Sequence, residues 1–150
     1  MPGEVLGELV PALKRLTAGL SDGFLRVPER RGKWSIIEVI QHLADVEIVY
    51  GVRVRQMLAE KQPTMLTFDQ DAWARELKYN ERKLEAAMAQ LHALRTVNLA
   101  LFRSLTHEQW NRLGVHSERG VESVYVTALS LAVHDDIHLR QVRRIVDILK

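Results

Sequence analysis

His134 and His138 stand four residues apart in a stretch with helical periodicity. On a helix this spacing puts two side chains on one face, with Cβ atoms about 5–6 Å apart. Two imidazoles so placed can reach one divalent metal ion at about 2.0–2.1 Å per bond. At about 100° per residue, Thr127, Ser130, His134, His138, Gln141 and Ile145 share a narrow stripe. Leu131 and Val133 flank that stripe and are expected in the core. A polar stripe inside an apolar face needs partners, and a metal ion with its supporting hydrogen bonds is one way to supply them.

His42 is the third candidate. It lies among Ile37, Ile40, Leu43 and Val46, on a stripe with Glu38, Asp45, Val49 and Arg53. One histidine from this helix and two from the last can close three corners of a tetrahedral site, because bundles build metal sites from facing helices. Three protein ligands with an open fourth position is the pattern of a catalytic centre. Asp45, one turn beyond His42, is the candidate supporting carboxylate or general base. Arg53 and Gln141 are candidate contacts for a substrate or cofactor. Glu38 is explained by helix capping, and Asp135 and Asp136 are rotated away from the histidine face by roughly 100° and 200°. His92, His107 and His116 are expected on the surface, since none shares a helical stripe with a second ligand type.

The elements that must position these residues are helical. The chain has 150 residues, 47% hydrophobic and 27% charged, which suits one soluble domain spanning 1–150. Residues 4–20 form an amphipathic stretch carrying Val5, Leu9, Leu13, Leu16 and Leu20. A second helix begins at the capping box Ser35/Glu38 and runs to about Lys61, where Pro63 stops it. Asp69 caps a short helix to Leu77, and a long helix follows from about Glu81 to Arg103. Thr106/Gln109 is a second capping box, residues 111–120 read as a polar loop, and the last helix starts near Ser123. Leu129, Val133, Ile137, Ile145 and Ile148 are its candidate core positions. With no strand expected, the fold class is all-α: a four-helix bundle with short extra helices in its connections.

Composition removes several functions. Cysteine is absent, so there are no disulfides, thiolate nucleophiles or cysteine-bound zinc. A net charge of +2 gives no support for nucleic-acid binding, and the Arg26, Arg30, Arg31, Lys33 cluster reads as a solvated loop. No apolar run approaches a membrane span and the first residues lack a signal-peptide pattern, so the expected location is cytoplasmic, with no membrane partner.

The segment Trp34-Ser35-Ile36-Ile37-Glu38-Val39-Ile40-Gln41-His42-Leu43-Ala44-Asp45 resembles the second-helix motif of the DinB/YfiT-like family. Phe68-Asp69-Gln70-Asp71-Ala72-Trp73 is similar to that family's crossover, His116-Ser117-Glu118-Arg119-Gly120 to its loop before the last helix, and His134-x3-His138 to its paired histidines. The resemblance implies a four-helix bundle in which His42, His134 and His138 bind nickel or zinc, and it implies a homodimer. It implies a small-molecule substrate and a family whose activities range over hydrolysis by metal-activated water, low-molecular-weight-thiol (bacillithiol-like) S-transfer and maleylpyruvate isomerisation. Beside the hydrolase and the S-transferase, a non-catalytic metal-binding stress or interaction protein is the third reading. One departure is that Ile137 and Leu139 stand where relatives carry an extra histidine and a small residue, which is expected to give a more apolar pocket wall.

Overall fold

A computed structural model describes all residues, 1–150. The helices are α1 (Pro2–Leu6), α2 (Leu9–Thr17), α3 (Asp22–Arg26), α4 (Ile36–Ala59), α5 (Gln70–Glu76), α6 (Leu84–Ser104), α7 (His107–Trp110) and α8 (Val124–Leu149). A single 3-10 turn spans Tyr79–Glu81, and strands β1 (Leu113–His116) and β2 (Gly120–Ser123) precede α8. The bundle is made by α4, α6 and α8, with the α1–α2 pair as its fourth member. No helix is long and apolar enough to cross a membrane.

Side-chain caps fix where α4, α7 and α8 start. The Ser35 hydroxyl accepts from the Glu38 amide while the Glu38 carboxylate accepts from the Ser35 amide, closing the first turn of α4. Thr106 and Gln109 do the same for α7, and Ser123 caps α8 through the Val126 amide. The expected first helix is broken at Gly7–Glu8. Pro11 explains the break: it has no amide to donate to the Gly7 carbonyl and its ring crowds that carbonyl. The break turns Leu6 into the core and leaves Val5, an expected core residue, 60% exposed.

The expected polar loop at 111–120 is instead a β-hairpin, Leu113 facing Ser123 and His116 facing Gly120. Gly120, at φ +82°, supplies the left-handed residue the tight connection needs. The crossover from α4 is tied to it, since Val115 donates to the Pro63 carbonyl and Met65 donates to that of Val115. Gly114 lets the hairpin pack closely on the methionines, because a Cβ there would come within 2.8 Å of Met57 Cγ and 2.9 Å of Met65 Cε and force those side chains to shift.

The core has two apolar parts. One gathers Leu9, Leu13, Ile36, Ile40, Leu91 and Ile145; the other gathers Leu6, Val54, Met57, Phe102 and Leu131. Between them lies a buried ionic layer. Arg95 of α6 donates to Glu47 of α4 at 2.6 and 2.9 Å, to Asp135 of α8 at 2.8 and 3.1 Å, and to the Leu6 carbonyl at 2.6 Å. Asn98 completes it by donating to Glu47 Oε2. This layer turns α8 relative to the expected core face. Asp135 is buried, whereas Leu129, Val133, Ile137 and Ile148 are exposed; of the five candidate core positions only Ile145 is buried. The inward face of α8 is Val124, Ala128, Leu131, Val142, Ile145 and Val146.

Candidate metal centre

α4 and α8 run side by side, and the structure brings His42, His134 and His138 together in the seam between them. His134 Nε2 lies 3.0 Å from His42 Nε2 and 3.1 Å from His138 Nε2. All three ligand atoms fall within 4.8 Å of one another.

The surroundings set the tautomers. His138 Nδ1 is 2.7 Å from Gln141 Oε1. An amide oxygen only accepts, so Nδ1 carries the proton and His138 Nε2 keeps its lone pair. Burial holds the rings neutral. It lowers His42 to about 2, helped by the neighbouring His134 and His138, and lowers His134 to about 3, helped by His138 and Arg95. It lowers His138 as well, against the pull of Gln141. Three neutral imidazoles cannot satisfy each other here. His134 Nε2 is either a donor or an acceptor and His138 Nε2 is an acceptor, so at most one of the two close contacts of His134 is a hydrogen bond. His134 Nδ1 is also buried without a partner.

A divalent cation fits this donor set. Two nitrogens each about 2.0–2.1 Å from one ion sit roughly 2.9–3.4 Å apart at bond angles between square and tetrahedral, which brackets the contacts of 3.0 and 3.1 Å. Neutral nitrogen donors of this kind suit zinc or nickel.

Two aromatic rings pack against the histidines. Trp34 packs on His42 at 4.9 Å between centroids and lies parallel to His138 at 6.4 Å. Phe68 stacks on His42 at 6.5 Å and is backed by Trp73 at 4.7 Å. Trp34 immediately precedes the cap of α4, and Trp73 lies on α5, which Asp69 caps through the Ala72 amide. Beside Trp34 the site is open: a cleft of about 290 Å³, lined by Gly32, Lys33, Trp34, Gln70, Asp71, His138 and Gln141, leads to solvent.

The other sequence candidates divide. Gln141 is at the centre, bonded to His138. Asp45 is buried, but its carboxylate is taken up by Gln41, Gln90 and the Tyr79 hydroxyl, and none of its hydrogen bonds reaches a histidine. The side chain therefore joins α4 to α6 and the 3-10 turn, and the expected role as the centre's base has no contact to rest on. Burial and the bond to Asp45 together raise the Tyr79 hydroxyl well above its ordinary value. Arg53 is also buried, three turns along α4. His116, expected on the surface, is buried with Nδ1 accepting from the Glu118 and Arg119 amides. Ile137 is 56% exposed and Leu139 packs against the core, so neither walls the cleft as expected. Sequence reasoning also missed Arg95, Glu47 and Asp135. Their signal was a charge of each sign standing at an apolar-face position of a helix.

Known proteins resemble this chain along most of its length. The DinB superfamily matches residues 9–142. A protein of Geobacillus thermodenitrificans, provisionally named a metal-dependent hydrolase, is 31% identical over 71% of this chain and 60% of its own. Another from Oceanobacillus iheyensis, named likewise, is 30% identical over 83% of this chain and 71% of its own. YfiT of Bacillus subtilis is 29% identical over 93% of this chain and 79% of its own. The solved structure of YfiT, described as "a probable metal-dependent hydrolase with an unusual four-helix bundle topology", superposes with a TM-score of 0.87 at 25% identity, covering 96% of this chain and 83% of that one. The chain thus spans less than two thirds of the Geobacillus protein.

Proposed function

The chain belongs to the DinB superfamily, and from that premise we propose that it is a metal-dependent enzyme hydrolysing a small molecule, with His42, His134 and His138 holding one zinc or nickel ion. The observation that carries this reading is the convergence of three neutral Nε2 atoms, at 3.0 and 3.1 Å, on a point no proton can satisfy. When bound, such an ion acts as a Lewis acid and brings the pKa of water down to about 7.

The protein's own contribution is orientation and exclusion. Gln141 holds the proton of His138 on Nδ1 and so aims the Nε2 lone pair at the centre. Trp34 and Phe68 fix the ring of His42 and keep bulk water from that side. The mouth between Trp34, Gln70 and Gln141 is the way in for a substrate. Asp45 is not needed as a base in this scheme.

A second reading places an acidic low-molecular-weight thiol on the same ion as the attacking nucleophile. The buried guanidinium of Arg53, which has no carboxylate partner, favours it. Within either reading the protein works in the cytoplasm without a nucleic-acid partner. It forms a homodimer, for which the exposed stripe Val126, Leu129, Val133 and Ile137 on α8 is the supporting observation.

Elemental analysis of untagged protein beside a His42→Ala, His134→Ala, His138→Ala variant tests the centre. About one equivalent of zinc or nickel in the parent and none in the variant is the expected result. The loaded protein should then turn over a member of an ester, amide or phosphoester panel, and thiol transfer in its place selects the second reading. Absence of metal from reconstituted parent protein sinks both and leaves a non-catalytic bundle.

A further inference from the structure

The two buried arginines are treated differently. Arg95 is ion-paired on both sides, whereas Arg53, 5% exposed, has no salt-bridging carboxylate. Its Nε donates to the Leu66 carbonyl at 2.8 Å, and the Tyr50 ring lies 5.1 Å from Cζ. Neither Nη makes a hydrogen bond to the protein, and neither is among the atoms sealed from solvent. A guanidinium is always charged, and leaving one buried without a counter-charge is costly unless something else supplies the charge.

The neighbours do not supply it. Glu122 is committed to Arg119, at 3.0 and 2.9 Å, and accepts from Thr127 at 3.0 Å. Because His116 Nδ1 accepts two backbone amides, its Nε2 carries the proton and is a further donor. Arg53, Arg119 and Glu122 together leave one positive charge and free N–H groups.

This free donor group is linked to the elements that hold the histidines. Leu66, bonded to Arg53, is two residues from Phe68, which stacks on His42. On the facing helix Ser130 is one turn from His134, and its hydroxyl is 3.1 Å from that of Tyr50. Along α4, Arg53 lies 11 residues beyond His42, three turns or about 16 Å of helix rise.

We propose that Arg53 anchors the carboxylate of a small, flexible monocarboxylate whose opposite end is processed at the three-histidine centre. The far end of this assignment rests on the metal-centre reading; the carboxylate end does not. A planar carboxylate matches the guanidinium fork in bidentate fashion, and one negative charge balances the cluster. A phosphate dianion would overfill it beside Glu122.

The test uses cobalt-loaded full-length protein titrated with monohydroxamates of dicarboxylic acids of increasing length. A second series carries an alcohol in place of the carboxylate. At the best length the acid should bind at least tenfold tighter than the alcohol. Arg53→Met should bring the acid to the alcohol's affinity while leaving alcohol affinity, cobalt content and Tm no lower than the parent's. Should Arg53→Met not fold, Arg53→Gln serves for the same comparison. Equal affinity of acid and alcohol at every length in the parent overturns the proposal. If cobalt does not bind, or no hydroxamate perturbs its spectrum, the metal-centre reading fails and the anchor is decided on metal-free protein. There, butyrate raising the Tm of the parent but not of Arg53→Met supports it. Equal shifts in both overturn it, as does inorganic phosphate acting as well as butyrate.

Discussion

Asp135 and His134 are neighbours on α8, yet they belong to two buried polar clusters that solve burial in opposite ways. Asp135 turns between α4 and α6, where one guanidinium, Arg95, pairs with both Asp135 and Glu47, and Asn98 donates to the other Glu47 oxygen. Burial pushes the Asp135 carboxyl up, to about 6, against the pull of Arg95. Burial alone would lower Arg95, but Asp135 and Glu47 more than reverse it. His134 turns into the α4–α8 seam, where three ring nitrogens converge with at most one hydrogen bond between two close contacts, and another ring nitrogen has no partner. The first cluster is complete within the chain and holds helices together. The second is incomplete, and completing it takes something from outside. Completeness of hydrogen bonding, more than burial or polarity, separates a structural cluster from a binding one.

The largest effect should come from breaking the complete cluster. Arg95→Leu leaves two buried carboxylates facing each other and should cost about 3–5 kcal/mol in urea unfolding. A loss below about 1 kcal/mol would show the layer to be weakly coupled to the fold.

His138→Ala is the matching change in the incomplete cluster. Metal occupancy should fall from one equivalent to none, while far-ultraviolet circular dichroism is unchanged and metal-free stability moves by about 1 kcal/mol or less. A variant that keeps full occupancy would remove His138 from the ligand set.

Acid separates the clusters without mutation. The folded pKa values of His42 and His134, about 2 and about 3, lie below the unfolded value near 6.5, so the unfolded chain binds more protons in between. Stability of metal-free protein should be fully present above about pH 6.5 and decline as pH falls below it. In the triple alanine variant this decline should be reduced, as measured by Tm against pH.

Gln141→Leu removes the acceptor that orients His138 and should weaken metal affinity about 10- to 100-fold, read by competition with a chelator, with the fold unaffected. The smallest effect belongs to the outer face of α8. Val133→Gln should change stability by no more than about 0.5 kcal/mol. If the homodimer uses that stripe, the same change should shift the mass measured by light scattering towards the monomer.

Local chemistry was legible in the sequence. Helix periodicity, the capping boxes at Ser35/Glu38 and Thr106/Gln109, and the short helix behind Asp69 depend on residues within one turn of each other, and they stand where the spacing puts them. The His134–His138 pair shares a face for the same reason. The hairpin was less legible. Its strands are four residues each, too short for alternation to show, and they are held by a pairing to the crossover at Thr64 that lies far away in sequence.

What the sequence determined alone was the three long helices α4, α6 and α8, the capped starts at Ser35, Asp69, Thr106 and Ser123, and which side chains share a stripe, because each follows from neighbours along one helix; the break at Gly7–Glu8 and the short helix α3, where a turn and loop were expected, were not among them. It did not determine which stripe of α8 faces inward. Val133 and Ile137 are as apolar as buried residues, but Arg95, 40 residues before Asp135, supplies the counter-charge that draws the other face in. Nor could it say that His42 meets His134 across 92 residues, or that Asp45 turns to Tyr79 instead. Burying a charge or pairing an imidazole depends on a partner from another helix, and only the packed bundle decides which partner is there.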